Sequence, residues 1–140
     1  MHNIKPEILP KILAILDENP EQTTGRLHYE PDHGKECFCI EGIVCEAYRR
    51  EHPDTSRWNR YGTLNLNGEA YSSSTPPEVR RWAYLQNPKD RGAISLRIGD
   101  GKLFDAETGV ALNDGYDWTW DDFRAAFAKG NFPELLPTAE

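Results

Sequence analysis

The run from Cys39 to Glu51 constrains everything around it, because Ile40, Ile43, Val44, Ala47 and Tyr48 recur there at helical spacing. This spacing predicts a well-buried helix with Arg49, Arg50 and Glu51 at its wet end. Gly42 lies inside it. A glycine in a helix interior costs about 1 kcal/mol relative to alanine, so close approach of another backbone is the expected reason for it.

The remaining segments are short. Ile8, Ile12, Leu13, Ile15 and Leu16 predict an amphipathic helix within Pro6–Asn19, with Pro10 near its start and Pro20 as its stop. Gly25–Glu30 reads as a short strand and Pro31-Asp32-His33-Gly34 as a turn. Pro53–Arg60 reads as a polar loop. Asn67-Gly68 between Tyr61–Leu66 and Glu69–Tyr71 is a strong hairpin signal. Thr75-Pro76-Pro77-Glu78 reads as a capping box, with Thr75 as N-cap, opening a helix to about Leu85. Ala93–Ile98 and Lys102–Phe104 are strand candidates. Thr119 with Asp121 and Asp122 caps a last helix carrying Phe123, Ala126 and Phe127 and ending at Gly130. The expected architecture is one α+β domain over residues 1–140: about four helices packed on a small, mostly antiparallel sheet, with 131–140 a loosely ordered tail.

Charge and cysteine content narrow the function classes. The 140 residues carry 23 acidic and 16 basic side chains, a formal net charge of -7. Such a chain is repelled by a phosphate backbone, so non-specific nucleic-acid binding is disfavoured. No apolar run of about 18 residues exists, which argues against a membrane span. No apolar stretch follows the start, and the odd set Cys37, Cys39 and Cys45 makes no disulfide framework; both point to reduced thiols and a cytoplasmic setting.

Three blocks together carry a family resemblance. Cys39-Ile40-Glu41-Gly42-Ile43-Val44-Cys45 resembles the Cys-Leu-Gly-x-Leu-Cys block of a family of small uncharacterised phage and bacterial proteins, with the glycine one position later. Pro76-Pro77-Glu78-Val79-Arg80-Arg81-Trp82-Ala83-Tyr84-Leu85 is similar to that family's Leu-Pro-Pro-Glu-Val-x-x-Trp-Ala-Gly-Leu block, with Thr75 before the prolines and Tyr84 for the glycine. Leu112-Asn113-Asp114 followed by Thr119 to Phe127 resembles its closing block. The resemblance implies an accessory gene of a phage or mobile element. It carries over no activity.

No catalytic set, metal site or cofactor follows from the motifs. The three cysteines with His28 and His33 do not have zinc-ligand spacing, and Cys45 and His52 lie seven residues apart, about 10 Å along a helix. Asp121 and Asp122 are accounted for by a helix N-terminus. Asn113-Asp114-Gly115 reads first as a turn, and second as a polar edge-reader for a ligand. The strongest ligand-binding hint is the aromatic–arginine content: Arg57, Trp58, Arg60 and Tyr61 in one polar segment, Tyr116 and Trp118 before the last helix. With Asn113 and Asp114 these residues form the expected site. The expected function is non-enzymatic, stoichiometric capture of a small anionic, nucleotide-like ligand. The alternatives are a protein-directed inhibitor or adaptor on a host protein, and a small Cys/His or metal-assisted hydrolase.

Overall fold

The computed structural model describes residues 1–30, 34–85, 93–99 and 106–136. Most of the expected turn Pro31-Asp32-His33-Gly34 and the strand Lys102–Phe104 lie outside the described residues. In chain order, helix α1 (Leu9–Asp17) leads to strands β1 (Glu21–Gln22), β2 (His28–Tyr29) and β3 (Cys37–Phe38), then to α2 (Ile40–Glu51). Strands β4 (Ser56–Trp58), β5 (Leu64–Leu66) and β6 (Glu69–Tyr71) precede α3 (Pro77–Ala83). Strands β7 (Ser95–Arg97) and β8 (Ala106–Thr108), helices α4 (Gly109–Asp114) and α5 (Trp120–Phe127), and a 3-10 turn at Pro133–Leu135 complete it.

Helix α2 is the centre. Every residue from Ile40 to Tyr48 is buried, so those turns have no wet face. Cys39 is its N-cap, the sulfur accepting the Gly42 N–H at 3.3 Å. Helices α1, α3 and α4 pack on it and bring Ile12, Ile15, Leu16, Val79, Ala83 and Leu112 into the core. A Cβ on Gly42 would stand 1.7 Å from the Leu27 carbonyl oxygen, so two backbones do meet there.

The architecture is α+β, with small and mostly antiparallel sheets. In the first sheet β3 lies between β1, its parallel neighbour, and β2, its antiparallel one. The second is the antiparallel meander β4-β5-β6, its hairpin closed by Asn67 (φ 50°) and Gly68 (φ 86°) as the sequence requires. β7 pairs with β8. Leu27 ties the first two sheets together and to the central helix: its N–H donates to the Ser72 carbonyl (2.9 Å), and its own carbonyl accepts the Cys39 N–H (3.2 Å).

Two acids are buried on α2, and both are fully engaged. Glu41, 2% exposed, accepts from the Thr75 hydroxyl (2.7 Å), the Tyr84 hydroxyl (2.5 Å) and the Ile94 N–H (2.6 Å). Glu46 accepts from Arg49 Nε (2.5 Å), Arg50 Nε (3.0 Å) and Trp58 Nε1 (3.0 Å). Burial alone would raise the Glu46 pKa; the Arg49, Arg50 and Trp58 hydrogen bonds outweigh it and hold the carboxyl below its ordinary value.

Several local expectations are corrected. Thr75 does not cap α3: Pro76 is the N-cap, without a side-chain bond, because the Thr75 hydroxyl is spent on buried Glu41. Glu78 turns instead to Asn67 Nδ2 and the Tyr48 hydroxyl. Pro53–Arg60 is not wholly loop, since Ser56–Trp58 pairs with β5. Asn113-Asp114 is not a turn but the end of α4, with Gly115 as C-cap. Cys37 is a buried strand residue. The chain also stays packed past Asn131: Phe132 is buried, and Asn131 and Leu96 flank His2 in bridges that dock the N-terminal residues. Thr119 caps α5 as expected, and Asp122 returns a bond to the Thr119 N–H, making the cap reciprocal.

Candidate functional site

The segment Gly25–His28, the tip between β4 and β5, and the end of β6 meet around a cleft of about 220 Å³. Gly25, Arg26 and His28 form one wall, Tyr61 and Gly62 a second, Ser72 and Ser73 a third. The tip is shaped by Asn59, whose Oδ1 accepts the N–H groups of Tyr61 (2.8 Å) and Thr63 (3.0 Å). Gly62 (φ 80°) presses on the first wall, and a Cβ there would fall 2.1 Å from the His28 carbonyl oxygen. The Gly25 N–H is held from behind by Asp114 Oδ2 at 3.1 Å. The opening is therefore bounded by fixed backbone.

Its electrostatics run against those of the whole chain. Among the described residues no carboxylate lines the cleft, although Glu36 and Asp114 stand behind His28 and Gly25. Arg49, Arg50, Arg97 and Arg124 are each paired with an acid; among the described residues Arg26, Arg57, Arg60 and Arg81 form no ion pair, and of these Arg26 and Arg60 lie on tyrosine rings. The Arg26 guanidinium stands 5.2 Å from the Tyr29 ring centre, and that of Arg60 stands 4.8 Å from the Tyr61 ring centre and donates to the Tyr61 hydroxyl at 2.6 Å. Tyr61 is 69% exposed.

His28 is 1% exposed, stacked on Trp58 at 4.5 Å and tilted against Phe38 at 4.9 Å. Neither ring nitrogen makes a hydrogen bond; Nε2 lies 3.6 Å from Glu36 Oε1. Burial lowers its pKa, and the Glu36 carboxylate only partly opposes that, so the ring is neutral at pH 7.

The expected site residues divide. Tyr61 lines the cleft, and Arg60 lies on the Tyr61 ring without lining the cleft itself. Trp58 is half-buried rather than displayed, its indole fixed by Glu46 and His28. Asn113, 1% exposed, spends its whole amide inside the fold: Oδ1 accepts from Gln22 Nε2 (2.9 Å) and the Ile40 N–H (3.2 Å), and Nδ2 donates to the Thr23 carbonyl (2.9 Å) and Asp114 Oδ1 (2.8 Å). It has no bond left for a ligand. Asp114 supports the cleft through Gly25. Arg57 faces a different, wider hollow of about 490 Å³ that also contains Asp54. Tyr116 is exposed and does not line the cleft; Trp118 packs edge-on against Phe123 at 5.1 Å. The residues the sequence did not single out for the cleft are Gly25, Arg26, His28, Gly62, Ser72 and Ser73. In the sequence Arg26 is one more arginine and His28 figures only beside the cysteines.

The thiols are poorly suited to nucleophilic work. All three are buried; burial pushes Cys39 up to about 12, Cys45 well above its ordinary value, and Cys37 upward with help from Glu21. Among the described residues no three His, Cys, Asp or Glu side chains converge as a metal site, and no helix is long and apolar enough to cross a membrane. Protein-family models, curated proteins and solved structures give no match to this chain.

Proposed function

We propose that this protein acts by stoichiometric, non-enzymatic capture of a small anionic, nucleotide-like ligand at the Arg26–Tyr61 cleft, in the phage or mobile-element setting its motifs suggest. One observation carries the reading. On a chain of net charge -7, this cleft has no acid in its walls among the described residues, and neither Arg26 in its lining nor Arg60 on the Tyr61 ring pairs with a described carboxylate. An unpaired arginine in a protein rich in acids is held ready for an anion from outside. The exposed Tyr61 ring offers a face on which a base can stack.

The test is thermal unfolding against a panel of nucleotides and cyclic oligonucleotides, on the parent chain and on Arg26→Gln and Tyr61→Ala. A ligand at about a hundred times its Kd adds about 2.7 kcal/mol to stability, a shift of several degrees. Capture requires a shift in the parent that both variants lose. The exposure of Tyr29 and Tyr61 beside two arginines supports a second reading, a host protein docked on the same surface. Silence across the panel, with a stable complex recovered from host lysate and lost in Tyr61→Ala, would favour it.

A further inference from the structure

The cleft is too small for a whole nucleotide. Its volume of about 220 Å³ lies below the roughly 300–1,000 Å³ of pockets that engulf drug-sized ligands. Only one end of a ligand fits inside, and the donors in the walls identify which end.

Arg26 presents a fork of N–H donors that pairs with no carboxylate among the described residues. Ser72 and Ser73 each bring a hydroxyl without a hydrogen-bond partner among the described residues; only the Ser72 carbonyl is used, by Leu27. The Tyr61 oxygen accepts from Arg60, which leaves its own proton free to donate outward. Arginine fork, two serines and a phenol are donors from three walls around one small space. A carboxylate, with two oxygens and one charge, leaves part of that set idle. A phosphate monoester has three terminal oxygens and a charge of about -1.5 to -2 at pH 7, and uses it fully. The backbone walls, fixed at Gly62 and Gly25, need no rearrangement to receive it.

We infer that the cleft takes the phosphoryl end of a phosphate monoester, between Arg26, Ser72, Ser73 and Tyr61, while the remainder of the molecule lies outside across the tyrosine faces. This deepens the capture reading and rests on it. The phosphoryl group can belong to a small sugar phosphate or nucleotide, or to a phosphorylated side chain; the seat is common to both.

The experiment is titration of the full chain, followed by amide NMR shifts and calorimetry at constant ionic strength. The probes are inorganic phosphate, ribose 5-phosphate, a phosphoserine peptide, ribose and acetate. Phosphate and at least one monoester should move the amides of Gly25, Arg26, Gly62, Ser72 and Ser73, and ribose should not. Acetate should bind at least about tenfold more weakly, and Arg26→Gln should cost phosphate about ten- to a hundredfold in affinity. Arg57→Gln, an arginine outside the cleft, should leave the affinity unchanged. The tighter of ribose 5-phosphate and the phosphopeptide names the source, and either order supports the inference. Acetate binding as well as phosphate at the same amides overturns it while leaving anion capture standing. No anion moving those amides overturns both.

Discussion

Replacing Gly42 by alanine sets helix propensity against packing. Propensity alone favours Gly42→Ala by about 1 kcal/mol at an interior helical position. Here the new methyl would stand 1.7 Å from the Leu27 carbonyl oxygen and 2.7 Å from its carbon, where ordinary contact begins at 3.4 Å. Helix or strand must therefore retreat by more than an ångström. Leu27 has little freedom to do so, since its N–H is held by Ser72 and its carbonyl by Cys39. Overpacking a well-filled site costs about 1–3 kcal/mol, and weakening those two hydrogen bonds about 1 kcal/mol each. Net of the propensity gain, the variant should lose about 2–4 kcal/mol. For a chain of this length that is a fall in Tm of about 10 °C, and a lower urea midpoint with an unchanged slope. Leu27 lies between Arg26 and His28, so the amides of those two cleft residues should shift as well. A variant as stable as the parent, or more stable, would refute the close contact and with it the placement of the cleft wall.

Other outcomes follow from the same contacts. Asn113→Ala should cost about 2–4 kcal/mol, because it orphans the buried Ile40 N–H and the Thr23 carbonyl together; urea unfolding measures it, and a loss under about 1 kcal/mol would contradict the bonding described. Asp114→Ala should change stability by no more than about 1 kcal/mol yet weaken ligand binding at the cleft, since its bond to Gly25 is exposed but sets the wall. His2 is buried, and that burial, with the nearby N-terminal ammonium, lowers its pKa from 6.5 to about 4. The unfolded chain takes up that proton first, so the contribution is whole above pH 6.5 and declines as pH falls toward 4, by about 3 kcal/mol. Urea midpoints across that window should flatten in His2→Gln, and an unaltered slope would assign the effect elsewhere. Cys39 and Cys45 should resist iodoacetamide in the native protein and react in urea; rapid native alkylation of either would revive the thiol-nucleophile reading.

What was legible in the sequence were features with a local cause. Helical spacing located α2 and α1, Asn67-Gly68 its hairpin, Thr119 with Asp122 its cap, and the cost of glycine in a helix pointed to the contact at Gly42. What was not legible depended on distant partners. Thr75 has the form of a cap but answers to Glu41, 34 residues earlier in the chain. Ser56–Trp58 has no apolar alternation and is a strand only because β5 lies beside it. The cleft escaped for the same reason. Its walls come from residues 25–28, 61–62 and 72–73, which meet only in space. Composition singled out Trp58 and Asn113 as ligand readers, yet both are occupied by neighbours that no spacing rule reveals.

Glu41 gathers α2, the approach to α3, Tyr84 and Ile94 on one carboxylate. These segments cannot open one at a time without stranding a buried carboxyl group, so hydrogen exchange should see them as a single cooperative unit. The Ile94 amide should exchange only when the whole molecule opens. Tyr61, on an exposed tip, should exchange orders of magnitude sooner. The protein would then combine one indivisible block with an exposed tip whose amides exchange while the block stays closed.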